Sequence, residues 1–221
     1  MLARNNPCFR LRVALLLICA CAMQPVRAGD QKYAPLSASV RTIMHRAVAD
    51  RASPRLTYAT KADGAIWLSE MSKRMEKYIP DTIARQDFLV TVQYEATRAG
   101  LDPQLVLGVI HVESRFRKYA VSKAGARGYM QVMPFWARLI GDGHQNLFSL
   151  RTNLRYGCTI LRHYLDVERG DTVRALARYN GSLGKARYPD QVLRVLASHW
   201  SYDQARARAT PSPTRYMGDS G

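Results

Sequence analysis

The chain has 221 residues, 47% of them hydrophobic, an ordinary globular fraction that suits one domain with extensions. Its net charge of +16 and pI near 10.1 point to an anionic partner. Three of its four cysteines lie in the first 21 residues, so Cys158 stands alone in the body and an intramolecular disulfide there is excluded.

Residues 1–28 read as an export signal. Arg4, Arg10 and Arg12 form a positive n-region, and no acidic residue precedes Asp30. Val13 to Met23 is an apolar run of 11 residues, too short to span a bilayer comfortably. Pro25 breaks it, and Val26-Arg27-Ala28 resembles a small-x-small cleavage site, so cleavage after Ala28 is the favoured reading. The competing reading is a lipoprotein box at Ile18-Cys19-Ala20-Cys21, with Cys21 lipidated. Removing the leader takes away four arginines and leaves a body of charge +12.

A lead-in at Asp30 to Pro35 precedes a helix from Leu36 to about Arg51, with Val40, Ile43, Met44 and Ala47 on one side. Ser53-Pro54 breaks it. The second helix is expected from Asp63, as cap, to Tyr78. Its stripe of Leu68, Met71, Met75 and Tyr78 reads as core packing. The third runs from Asp81 to Ala99 and stops at Gly100, with Phe88, Val92 and Ala96 facing inward. A fourth follows from Asp102, a capping residue, with Pro103 in its first position. Beyond a loop rich in small and basic residues, Arg117 to Arg127, Pro134 opens a short helix that Gly141 ends. Leu150 to Arg169 is a long helix burying Leu154, Cys158, Leu161 and Leu165, while Arg151, Arg155, Arg162 and Arg169 lie on other faces and are expected to be solvated. Helices at Asp171 to Tyr179 and about Pro189 to Trp200 complete the body, and the basic, Pro-containing residues beyond are expected to be disordered. No alternating strand and no internal repeat is evident, so the class is all-α.

Glu113 is the residue on which a functional reading turns. It lies four residues from Val109 and eight from Leu105, on an apolar stripe near the end of the fourth helix. An acid there must be paired or be kept neutral by desolvation. The negative end of the helix dipole also disfavours its ionisation. A carboxyl that stays protonated near neutral pH is what a general acid requires. For a lone Glu the bland alternative is a side chain reaching solvent at a helix end.

The surrounding motifs favour chemistry. Glu113-Ser114, Ser122, Gly128-Tyr129-Met130-Gln131 with Met133-Pro134, and Ala177-Arg178-Tyr179-Asn180 resemble, in order and spacing, the soluble lytic transglycosylase family with its lysozyme-like fold. The resemblance runs from about Phe88 to Trp200. Taken with the leader and the tail read above, it divides the chain into a signal peptide at 1–28, an N-terminal helical extension at 29–85, a catalytic domain at 86–202 and a basic disordered tail at 203–221. It further implies a periplasmic lyase that cleaves peptidoglycan between N-acetylmuramic acid and N-acetylglucosamine, leaving 1,6-anhydro ends. Membrane attachment follows only if Cys21 is lipidated.

Carried over by position, Glu113 is the single acid/base. Ser122 is a hydroxyl near that acid and the substrate's acetamido group. Gln131 and Met133 line the groove. Tyr179 is the hydroxyl partner of the acid, with Asn180 beside it. Ser114, Tyr129 and Met130 complete the supporting set. Relatives usually carry Leu where Tyr129 stands, so Tyr129 is either a sugar-stacking surface or a bulkier wall. Relatives also have a substrate-facing Tyr where Gln191 aligns, with Tyr188 nearby. The stretch after Asn180 is short, implying a more open product side. Asp142 and Asp166 are the sequence candidates for a second carboxylate, and each has a surface reading.

No cofactor and no metal is expected: the five histidines are scattered, and His111 points away from the Glu113 face. Ser182-Leu183-Gly184-Lys185 matches Ser-x-x-Lys, but its companion motifs are absent. Rival readings are a muramidase hydrolysing the same bond and a non-catalytic peptidoglycan-binding homologue docked to a secretion or pilus machine of the cell envelope. A nucleic-acid partner is disfavoured by the export signal.

Overall fold

The computed structural model describes residues 35–203. The leader, Cys21, most of the lead-in and nearly all of the basic tail lie outside that range. The described chain forms eight α-helices: α1 (Ala38–Ala49), α2 (Lys61–Met75), α3 (Thr82–Arg98), α4 (Pro103–Ser114), α5 (Pro134–Ile140), α6 (Leu150–Val167), α7 (Thr172–Asn180) and α8 (Arg187–Val195). A π-helical turn, Leu196–Trp200, continues α8. No strand occurs among the described residues. Two isolated bridges join Arg127 to Val121 and to Val132. No described helix is long and apolar enough to cross a membrane.

Local rules account for most helix starts. Ser37, Asp81, Asp102 and Asp171 each turn a side-chain oxygen onto an early backbone N–H, satisfying a donor that has no helical partner. The start of α2 differs from expectation. Thr60, in extended backbone, accepts from the N–H of Asp63 at 3.1 Å, so Asp63 falls inside the first turn and is buried.

α4 is the centre of the molecule. Leu105, Val106, Leu107, Gly108, Val109 and Ile110 are all buried, because α3, α8 and the π-helical turn all pack against it. Gly108 lets α8 lie close: a β-carbon there would sit 3.4 Å from the Val192 carbonyl. α6 forms a second hub between α3, α7 and α1, with Leu154, Cys158, Leu161 and Leu165 inside. Cys158 is fully buried and burial pushes its thiol up, so it stays protonated and inert. The extension is not a separate body, since Met44, Trp67, Met71 and Met75 join the same core.

One surface expectation fails on α6. Arg155 is buried at 6% exposure and is bidentate to Glu95, with its Nη2 2.7 Å from Oε1. Arg98 approaches the same carboxylate at 3.1 Å and Arg151 at 3.5 Å. Glu95 itself has no exposure. The buried acid draws one cation from its own helix and two from α6, which periodicity within α6 does not reveal.

Candidate active site

Glu113 occupies the last turn of α4 and is 5% exposed. The chain leaves that turn through two left-handed residues, Arg115 at φ 51° and Phe116 at φ 63°. Non-glycine residues seldom adopt this conformation. Here packing fixes it, because the Phe116 ring is held among Tyr78, Phe88 and Trp200.

The crossing of α8 over α4 brings Tyr188 onto the carboxyl. Its hydroxyl donates to Glu113 Oε1 at 2.7 Å. Asn180, at the end of α7, is a second hydrogen-bonding neighbour, and Oε2 is buried without a partner. Burial pushes the Glu113 pKa up to about 8, against the smaller opposing effect of the Tyr188 and Asn180 hydrogen bonds. Near neutral pH the carboxyl is therefore mostly protonated. Since Oε1 accepts from Tyr188, the proton belongs on Oε2, the oxygen with no partner. Tyr188 is itself driven well above the ordinary phenol range by burial and by Glu113, so it remains a donor.

This arrangement corrects one assignment. Tyr179 donates its hydroxyl to the Met130 carbonyl at 2.7 Å, and Tyr188 holds the place at Glu113 expected for it. Both tyrosines are buried, Tyr179 on α7 and Tyr188 on α8, and it is Tyr188 that reaches the acid. Gln191, the other position weighed for a functional Tyr, is half-buried.

The segment 128–131 is a tight loop built against α6. Gly128 has φ 75°, and a β-carbon there would come within 2.5 Å of the Leu147 carbonyl and of Asn153 Nδ2. Asn153, fully buried, accepts from the Met130 N–H at 2.7 Å and donates to the carbonyls of Arg127 and Leu147, each at 2.8 Å. Gln131, left-handed at φ 51°, donates to the carbonyls of Ala120 at 3.1 Å and Gly128 at 2.9 Å. Met130 packs on α6, where any β-carbon at Gly157 would meet its sulfur. Met133 caps α5 and is partly buried.

Other expected residues take structural places. Ser114 donates to the Ile110 carbonyl at 3.2 Å. Ser122 is half-buried, and its hydroxyl accepts from the Ala126 N–H at 3.1 Å, closing the turn of the 122–126 loop. Tyr129 is 8% exposed and stacks edge-on against Phe88 at 5.0 Å, so it is wall rather than open platform.

Neither alternative acid reaches this site's hydrogen bonds. Asp142 is exposed and accepts from Gln145, and exposed Asp166 pairs with Arg162 at 2.6 Å. No neighbouring carboxylate contributes to the raised Glu113 pKa. Among the described residues, no three His, Cys, Asp or Glu side chains cluster as a metal site. A cavity of about 650 Å³ opens between the end of α1, the 141–145 turn and α6, but its lining includes neither Glu113 nor the 128–131 loop.

His111 shares α4 with Glu113 but belongs to another environment. Trp200 Nε1 donates to its Nδ1 at 3.1 Å, which places the neutral ring's proton on Nε2, 3.1 Å from the Tyr78 hydroxyl. Burial, with His199 and nearby cations, lowers its pKa to about 4.

Tyr188, Asn153 and Glu95 are the important residues that periodicity missed. An Asn directly before Leu154 of the apolar stripe of α6 and an acid inside α3 were the available signals.

Residues 91–192 match the family model described as Transglycosylase SLT domain. Membrane-bound lytic murein transglycosylase C of Histophilus somni (strain 2336) is 32% identical over 157 residues, covering 56% of this chain and 43% of that protein. The protein of the same name from Actinobacillus pleuropneumoniae serotype 5b (strain L20) is 34% identical over 156 residues, covering 56% and 42%. The Transglycosylase of Enterobacteria phage PRD1 is 33% identical over 111 residues, covering 47% and 41%. The chain spans less than half the length of these relatives. The family match begins inside α3, ends inside α8, and encloses Glu113, the 128–131 loop, Asn153 and Tyr188. The segment 91–192, with the site it builds, belongs to the Transglycosylase SLT domain family.

Proposed function

We propose that the chain is an exported lytic transglycosylase acting on the N-acetylmuramyl–N-acetylglucosamine β-1,4 bond of peptidoglycan, with Glu113 as its single acid/base. The observation that carries this reading is a buried, mostly protonated carboxyl with a tyrosine on one oxygen and the other without a partner. Its relatives are named lytic murein transglycosylases, and its family model is a transglycosylase domain.

The chemistry follows from one proton used twice. A glycosidic oxygen leaves poorly unless protonated, and Glu113 Oε2 supplies that proton as the bond to the anomeric carbon breaks. A second carboxylate would ordinarily stabilise the oxocarbenium-like charge, and no other acid lies at the site's hydrogen bonds. The substrate's own 2-acetamido oxygen takes that role by attacking the anomeric carbon. Glu113, now a carboxylate steadied by the Tyr188 hydroxyl, removes the proton of the muramyl 6-hydroxyl. Oxygen 6 closes on the anomeric carbon, the acetamido group is released and Glu113 is protonated again. No water is consumed.

The tethered 6-hydroxyl competes well with solvent, because intramolecular groups reach effective molarities of about 10⁵ M or more. Digestion of purified sacculi followed by mass spectrometry should give muropeptides with 1,6-anhydro ends, lighter than hydrolysed ends by one water and resistant to borohydride. Only reducible muramyl ends would identify a muramidase. Sacculi bound but left intact would identify a binding protein.

A further inference from the structure

The loop leading away from Glu113 carries an aromatic surface that neither the core nor the proton chemistry uses. Tyr119 is 70% exposed and Val121 is 61% exposed. Tyr119 sits in a turn closed by the Ala120 N–H on the Arg117 carbonyl at 3.3 Å. The Tyr119 ring lies 5.8 Å from that of half-buried Phe148, at an interplanar angle of 50°. Cations accompany both rings, Lys118 Nζ 5.2 Å from the Tyr119 centroid and the Arg127 guanidinium 5.9 Å from that of Phe148.

This surface is pinned to the candidate site. The Ala120 carbonyl accepts from the Gly128 N–H at 2.9 Å and from Gln131 Nε2 at 3.1 Å. The Leu147 carbonyl, beside Phe148, accepts from Asn153, which also holds the Met130 N–H. Tyr119 and Phe148 are thus each one residue from a backbone group that fixes the 128–131 loop. An exposed apolar side chain needs no explanation when it stands alone. Two aromatic rings in contact, flanked by cations and fastened to the 128–131 loop, form a prepared surface.

We propose that Tyr119 and Phe148 form a saccharide-binding ledge at the rim of the Glu113 site, with Lys118 and Arg127 meeting carboxylates of the same polymer strand. The proposal rests on the peptidoglycan reading above and extends it to where the strand lies. Aromatic faces take the apolar faces of sugar rings at small conformational cost, and a strand bearing lactyl and peptide carboxylates complements the cations. A protein partner is a poorer fit, since stable interfaces bury about 800 Å² on each side and two rings offer far less.

The test uses the full chain with purified sacculi, measuring sedimentation, initial rate against sacculus concentration, and thermal unfolding. Tyr119→Ala and Phe148→Ala should each raise the half-saturating concentration about fivefold, with maximal rate changed less than twofold. Tyr119→Trp should restore binding, and the unfolding midpoint of Tyr119→Ala should match the wild type. Unchanged binding and half-saturation in both alanine variants, with an active wild type, would overturn the ledge and leave the lytic reading standing. A wild type that neither binds nor digests sacculi would overturn both.

Discussion

Glu95 and Glu113 are both glutamates on buried helices, yet the protein solves their burial in opposite ways. Glu95, on α3, receives Arg155 in a bidentate pair, with Arg98 and Arg151 alongside. Glu113, on α4, receives no cation, only a phenol at 2.7 Å and an amide. One acid ties α3 to α6 through Arg155 and Arg151. The other is held mostly neutral and binds its proton more tightly than an exposed acid would. Burial alone therefore does not decide how an acid behaves. Without a compensating cation, the cost of desolvation is expressed as a raised pKa instead of an ion pair.

Exchanging charge for amide at each position breaks this comparison most sharply. Glu95→Gln leaves Arg155 buried beside a neutral group, so stability should fall by about 3–5 kcal/mol, read by urea unfolding, while the surviving folded fraction keeps its specific activity. An unchanged denaturation midpoint would mean that the arginines find other partners.

Glu113→Gln should do the reverse. Turnover on sacculi should fall at least about 100-fold with the fold intact. Its stability should also have a distinctive pH dependence. The folded carboxyl titrates near 8, above its ordinary value of 4.5, so the folded state holds a proton that the unfolded state has released. Wild-type stability from this group is complete below about pH 4.5 and is lost as pH rises toward 8. The Gln variant lacks that loss, and above pH 8 it should be the more stable protein by at least about 1 kcal/mol. His111, two residues away, gives the opposite slope: its pKa of about 4 makes stability fall as pH drops from 6.5 toward 4. Parallel wild-type and variant curves above pH 6 would refute a neutral Glu113.

Tyr188→Phe is the finest probe. The tyrosine favours the charged carboxylate, so its loss should move the Glu113 pKa further upward and shift the alkaline limb of the rate profile to higher pH. The rate itself should drop about tenfold, the worth of one hydrogen bond to a developing charge. Tyr179→Phe, which removes the hydroxyl bonded to the Met130 carbonyl, should move that limb less than Tyr188→Phe does.

Sequence reasoning reached what local rules control. Asp102, Pro103, Gly100 and Gly141 bound their helices as their chemistry dictates, and the Leu105–Val109–Glu113 spacing put the acid on a buried face. It failed where partners come from distant helices. Thr60 displaced Asp63 as a cap through a backbone torsion that composition does not encode. Arg155 was expected in solvent because its partner is 60 residues away on α3. Tyr179 and Tyr188 are chemically identical candidates for one hydrogen bond, and interhelical geometry chooses between them.

That same long reach sets an order of events. Glu113 lies near the middle of the chain, but the tyrosine on its carboxyl is 75 residues further on, and the tryptophan that holds the neighbouring His111 is 89 residues beyond it. Such contacts form late, since a long loop must close before they stabilise anything. Until α8 docks, the carboxyl stays wet and ionises like any surface glutamate. A chain still emerging or partly folded therefore carries a glutamate of ordinary acidity, and the raised pKa of Glu113 appears only when α8 is in place.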